Sequence, residues 1–168
     1  STSRRQRQMC IRDSGEFKFF GGISSAPDKN NKTRIRMVAK AMLELICNHD
    51  KVLIMGHRFG DLDSVGSATG FCCAIRNMVK EAYVVVDPEQ NLSKTLINYI
   101  NENESEHYYI TPQEGLERLD DNTLLVVTDT HNPALVESKE ILARAKNVVV
   151  IDHHRSCLLY TSPSPRDS

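Results

Sequence analysis

Residues 52–66 read Val-Leu-Ile-Met-Gly-His-Arg-Phe-Gly-Asp-Leu-Asp-Ser-Val-Gly, and this stretch decides the fold. Val52 to Met55 is a short apolar run with β-branched members, suited to a strand covered on both faces. Gly56 ends it. The loop beyond carries His57, Asp61 and Asp63, and the small residues Ser64, Gly66, Ser67, Ala68 and Gly70 then open a helix able to pack closely on a sheet. A strand, a polar loop and a helix in that order put ionisable side chains at the carboxyl edge of an open α/β sheet, where such folds place their sites.

The same alternation continues in both directions. Upstream, Ile35, Val38, Ala39, Met42, Leu43, Leu45 and Ile46 recur at helical spacing and predict an amphipathic helix over residues 31–48, with its methionines as core filler. Downstream, the pattern predicts a helix over 64–80, in which Cys72 and Cys73 are small core residues. A buried strand over 82–86 closes at the Asp87-Pro88 turn. Next come a helix over 93–101, a short edge strand over 107–110 with ring packing at Tyr108 and Tyr109, and a helix over 111–119 opened by Thr111-Pro112 with Glu114 in its first turn. Residues 123–128 (TLLVVT) form a buried strand ending at Asp129, Thr130 and His131. A helix over 136–145 and a strand over 148–151 follow, and Asp152, His153, His154 and Arg155 stand after the last strand. The expected fold is α/β: a doubly wound, mainly parallel sheet with flanking helices, incomplete at the C-terminus.

The 168 residues fit about one domain. A formal net charge of -1 offers no basic excess for wrapping a nucleic acid, so no stable nucleic-acid complex is expected. Five cysteines without a CxxC pair argue against a zinc ribbon or a disulfide framework and for a reducing, cytoplasmic setting. No run approaches the ~18 apolar residues of a membrane span. Residues 1–14 (STSRRQRQMCIRDS) and 157–168 (CLLYTSPSPRDS) share an RDS ending and resemble translated adapter sequence, so loose tails are expected at both ends. Residues 15–50 read as a linker, with a short exposed strand near GEFKFF, and the lead-in helix.

Each cluster after a strand has an ordinary reading taken singly, as a helix cap, a turn or a satisfied histidine. Converging on one edge, several carboxylates and imidazoles would repel and stay poorly satisfied without cations. Asp and His ligation without cysteine suits Mn²⁺, Mg²⁺, Fe²⁺ or Zn²⁺, and the carboxylate excess tilts toward Mn²⁺. Two such ions about 3.5–4 Å apart suit phosphoester hydrolysis. Asp61 and Asp63 can serve the two ions in turn, His57 can join Asp61, and Asp129 is the natural bridge.

His57, Asp61 and Asp63 in HxxxDxD spacing, Asp129 at a strand end, and Asp152-His153-His154 resemble the first three motifs of the DHH phosphoesterase superfamily. The resemblance covers roughly residues 51–155, and a partial DHH domain is expected over 51–156. Within the superfamily, Gly56 to Gly66 is similar to GHxxxDLDSxG, Val127 to Pro133 to VxDTHxP, and Asp152 to Arg155 to DHHR of the GdpP-type cyclic di-AMP phosphodiesterases.

That resemblance implies a dimetal phosphodiesterase, usually Mn²⁺-dependent. His57 and Asp61 would hold one ion, Asp63 and His153 the other, and Asp129 would bridge. His154 would contact the scissile phosphate with Arg155 in support, as a metal-activated water opens cyclic di-AMP to linear pApA. His131 would act behind the ligands, and Asp152 as a structural acceptor. It also implies a homodimeric, membrane-anchored parent with its catalytic domain in the cytoplasm. The family's fourth motif and its substrate-binding domain have no counterpart here, so a fragment with little activity of its own is expected. Other DHH enzymes, such as oligoribonucleases, pAp phosphatases and pyrophosphatases, share the core. A non-catalytic nucleotide- or metal-binding regulatory domain and a metal-free nucleotide-binding domain also stay open.

Overall fold

The computed structural model describes residues 8–13, 16–20, 29–78, 80–104 and 107–152. Strand β3 (Lys51–Met55) is central, and four further parallel strands line up with it. These are β4 (Glu81–Val85), β5 (Tyr109–Ile110), β6 (Thr123–Thr128) and β7 (Asn147–Asp152). Strands β1 (Gln8–Asp13) and β2 (Glu16–Phe20) extend the sheet antiparallel, in the order β2-β1-β7-β6-β3-β4-β5.

Alternation along each strand separates two cores. Val52, Ile54, Val84, Leu124 and Val126 meet Met42 and Ile46 of helix α1 (Lys29–Asn48), Val65, Ala68, Cys72 and Ile75 of α2 (Leu62–Arg76), and Ile97 of α3 (Lys94–Asn103). Leu53, Met55, Val85, Leu125 and Val127 pack on the opposite face, with Leu116 of α4 (Pro112–Arg118) and Ile141 of α5 (Lys139–Arg144). Helices on both faces explain why the parallel strands are apolar throughout rather than alternating with polar residues. The expected doubly wound α/β sheet is the one observed.

The chain runs from β3 through α2 to β4 on one side, and later returns to place β6 on the other side of β3. The order of strands therefore reverses between β3 and β6, and a crevice opens outside their carboxyl ends. Both His57 and Asp129 follow those two strands.

Several expected elements shift. Helix α2 begins at Leu62, two residues early, because the Asp61 side chain accepts the Asp63 and Ser64 amides as N-cap. Helix α5 begins at Lys139 instead of 136, because Val136 is drawn into a bridge with His57 and Ser138 becomes the cap. Residues 8–13, expected within a loose tail, form β1: the outer edge of β7 presents unpaired backbone groups that this segment satisfies. Met42 is core, but Met37 is 61% exposed, so only part of the predicted α1 face packs on the sheet. Tyr109 is at the sheet edge as expected; its hydroxyl meets Thr69, and Tyr108 stacks under Arg76. Cys47 and Cys73 are free thiols, and Cys72 is buried in the core. Among the described residues, no helix is long and apolar enough to cross a membrane.

Candidate metal centre

The loop after β3 is fixed before any ion is considered. Gly56 passes so close to α2 that a β-carbon there would overlap the buried Ser64 hydroxyl. The Glu137 amide donates to Gly56 O at 3.0 Å, the Arg58 amide to Leu135 O at 2.7 Å, and His57 pairs with Val136 between them. Further along, Gly60 lies against Asn91 and its carbonyl accepts from the Ser93 hydroxyl. These contacts tie the loop to the segments after β6 and β4, so His57 is set by three strand ends.

Asp61 reaches the same place from the helix side. Its Oδ1 accepts the Asp63 amide at 3.1 Å and the Ser64 amide at 3.0 Å. The Ser64 hydrogen bond, with smaller contributions from the Asp63 amide and the His57 charge against a burial effect that opposes them, holds its carboxyl below the usual range. A carboxylate kept ionised in this way suits a cation ligand. Asp129 completes the group from the end of β6. Its backbone takes φ 60°, a left-handed conformation that few non-glycine residues adopt, and its amide donates to Ile151 O at 2.9 Å. This turn leaves Asp129 Oδ2 at 3.8 Å from His57 Nε2.

One ligand atom from each of His57, Asp61 and Asp129 lies within 4.8 Å of the other two. An imidazole nitrogen with two carboxylate oxygens fits a divalent cation of the Mn²⁺, Mg²⁺, Fe²⁺ or Zn²⁺ group and does not by itself choose among them. Asp63, expected to serve a second ion, is exposed on the first turn of α2 and is not part of this group. His153, His154 and Arg155 lie outside the described residues.

Behind the group, His131 Nδ1 is hydrogen-bonded to Asp152 Oδ2, joining the loop after β6 to the end of β7. Asp152, 5% exposed, is thus a buried acceptor.

The sequence reading missed Glu137. Its side chain accepts the Asp87 amide at 3.0 Å, and its pKa is pushed up to about 7, chiefly by burial, with the Asp87 amide and Arg58 pulling it down and the Asp87 charge adding to the rise. No local pattern marks a glutamate three residues into a helix lead-in, since its burial arises from contact with the β4 loop.

The fold and the clustered side chains define an α/β domain with a histidine–carboxylate site at its topological switch point. More narrowly, the chain belongs to the DHH family: the family's N-terminal domain matches residues 51–165. It is 41% identical over 144 residues to the cyclic-di-AMP phosphodiesterase PdeA of Listeria monocytogenes, covering 84% of this chain and 22% of that protein. It is 38% identical to the cyclic-di-AMP phosphodiesterase GdpP of Bacillus subtilis over 144 residues, with the same two coverages. To the protein of that name from Geobacillus thermodenitrificans it is 38% identical over 152 residues, covering 88% of this chain and 23% of the relative. The chain therefore spans less than a quarter of the length of these relatives.

Proposed function

We propose that this chain supplies the metal-binding half of a phosphodiesterase that opens cyclic di-AMP to linear pApA. The observation that carries the reading is the approach of His57, Asp61 and Asp129 at the crevice between β3 and β6. They stand in a chain similar to proteins named for that activity. His57 and Asp61 would hold one ion and Asp129 would bridge to a second, with Asp63 and His153 as the second ion's partners. Divalent ions held there would supply an activated water and neutralise charge developing on phosphorus. The chain's own contribution is positional. The Asp61 carboxylate is fixed by two amides, the His57 ring by the 135–137 segment, and Asp129 by its turn and the Ile151 carbonyl. His154 and Arg155 would bind the phosphate. Mn²⁺ is the proposed ion on the balance of carboxylates to imidazoles.

The test is an assay of the full-length protein carrying this chain, with cyclic di-AMP and Mn²⁺, separating products by chromatography. Formation of pApA that EDTA abolishes and Mn²⁺ restores is expected, and Asp129→Ala should remove nearly all of it. Hydrolysis of pyrophosphate or short RNA with cyclic di-AMP left intact would assign the chain to another DHH activity.

A further inference from the structure

A cavity of about 320 Å³ opens beside the metal centre, lined by Arg58, Asp87, Gln90, Glu137, Lys139 and Glu140 among others. It lies where the segments following β3, β4 and β6 meet, and Arg58 is the residue after His57. Its size falls at the lower end of the roughly 300–1,000 Å³ of small-molecule sites.

The lining is held in place by its own hydrogen bonds. Arg58 Nε donates to Gln90 Oε1 at 2.8 Å, Gln90 Nε2 donates to Asp87 Oδ2 at 2.7 Å, and the Asp87 amide donates to Glu137 Oε1. All three acids are already engaged through at least one oxygen. Asp87 also accepts the Glu89 amide, and Glu140 faces Arg144 at 3.5 Å. Among the described residues, the two terminal nitrogens of Arg58, the Lys139 ammonium and Glu137 Oε2 have no hydrogen-bond partner. Burial raises the Glu137 pKa to about 7, so its carboxyl is partly protonated near neutral pH and opposes a bound anion less. The cavity thus offers the two terminal nitrogens of Arg58, whose guanidinium also lies over the Phe59 ring, together with the Lys139 ammonium and one carboxyl oxygen of Glu137. A phosphate suits the guanidinium fork, and a hydroxyl or amino group suits the carboxyl.

We infer that this cavity is a second substrate subsite, taking a nucleoside monophosphate unit through Arg58, Lys139 and Glu137 while a neighbouring phosphodiester lies at the metal centre. This rests on the phosphodiesterase reading above for the identity of the substrate, whereas the cavity's chemistry stands on its own residues. A dinucleotide carries two such units, so a site that grips one of them aligns the other for cleavage.

The probe is AMP, titrated into the ¹⁵N-labelled 168-residue chain without metal. Expected are chemical-shift changes at Gln90, Glu137 and Lys139, weakened at least threefold by Arg58→Ala and by Lys139→Ala and left unchanged by Asp129→Asn. Both replaced cations are exposed, and preserved amide dispersion would show that the variants fold. Glu137→Gln supplies a third, near-isosteric check, expected to alter affinity without altering the frame. Shifts absent from these residues, or insensitive to Arg58→Ala, would overturn the inference. So would shifts confined to His57 and Asp61 that vanish in Asp129→Asn. A parallel Mn²⁺ titration reads the other proposal: failure of Mn²⁺ to broaden His57, Asp61 and Asp129 would sink the metal-centre reading even where AMP binding behaves as expected.

Discussion

Asp129 Oδ2 lies 3.8 Å from His57 Nε2, although the two residues stand 72 positions apart in the chain, because they follow the neighbouring parallel strands β6 and β3.

Asp129 combines a left-handed backbone with a carboxylate proposed as a metal ligand, and the two roles can be separated. Asp129→Gly is expected to abolish Mn²⁺ uptake in calorimetric titration while leaving thermal stability in EDTA equal or higher. Asp129→Val should also lose the metal but unfold more easily, by about 1–2 kcal/mol, because a branched side chain is poorly accommodated at positive φ. Equal stability of the two variants would show that the conformation carries no cost.

Asp61 caps α2 and is a proposed ligand of the metal site. Asp61→Asn keeps an acceptor for the Asp63 and Ser64 amides, so it should retain the helix cap, lose only the charge-dependent part of its stabilisation, and bind Mn²⁺ at least tenfold more weakly. Asp61→Ala should lose about 1 kcal/mol in denaturant melts as well, since the cap is gone. The sign of the pH dependence follows from the lowered pKa. The contribution is fully present above the ordinary value of 3.8 and fades as pH falls toward the folded value. Acid titrations of the parent and Asp61→Asn should therefore converge only below that point.

For Glu137 the sign is reversed. Its folded pKa of about 7 exceeds the ordinary 4.5, so the folded state binds the extra proton between those values. Stability should decline as pH rises from 4.5 to 7 and level off above. The effect is on the order of 1 kcal/mol once solvent screening of a partly exposed group is allowed for. Glu137→Gln should flatten that slope in denaturant melts measured across the range, and an unchanged slope would place the titration elsewhere.

Gly56→Ala would drive a β-carbon into the Ser64 hydroxyl, which is buried and has little room to retreat. A loss of about 1–3 kcal/mol is expected from such overpacking. Gly56→Ala combined with Ser64→Gly should recover part of it. Failure of the pair to recover would point to the backbone rather than the contact.

The sequence by itself determined the sheet. Val52 to Met55, Thr123 to Thr128 and Val148 to Ile151 are apolar at successive positions, which only a strand covered on both faces tolerates, and the helices between them force a parallel arrangement. Thr111 with Glu114 likewise announced the capping box that opens α4, a purely local device. The residue types of the candidate metal centre were legible for the same reason: His57, Asp61 and Asp129 each follow a strand, and the carboxyl edge is shared.

Only the tertiary structure decided which of them meet. The reversal of strand order sets β3 beside β6, so His57 and Asp129 face one crevice, while Asp63, one residue past Leu62, turns outward on α2. The start of α5, the His131–Asp152 bond and the burial of Glu137 also depend on contacts between segments distant in sequence. Spacing along the chain fixes which side chains a strand end can offer. Their distances, and the protonation that burial imposes, come from the neighbours that folding brings to that edge.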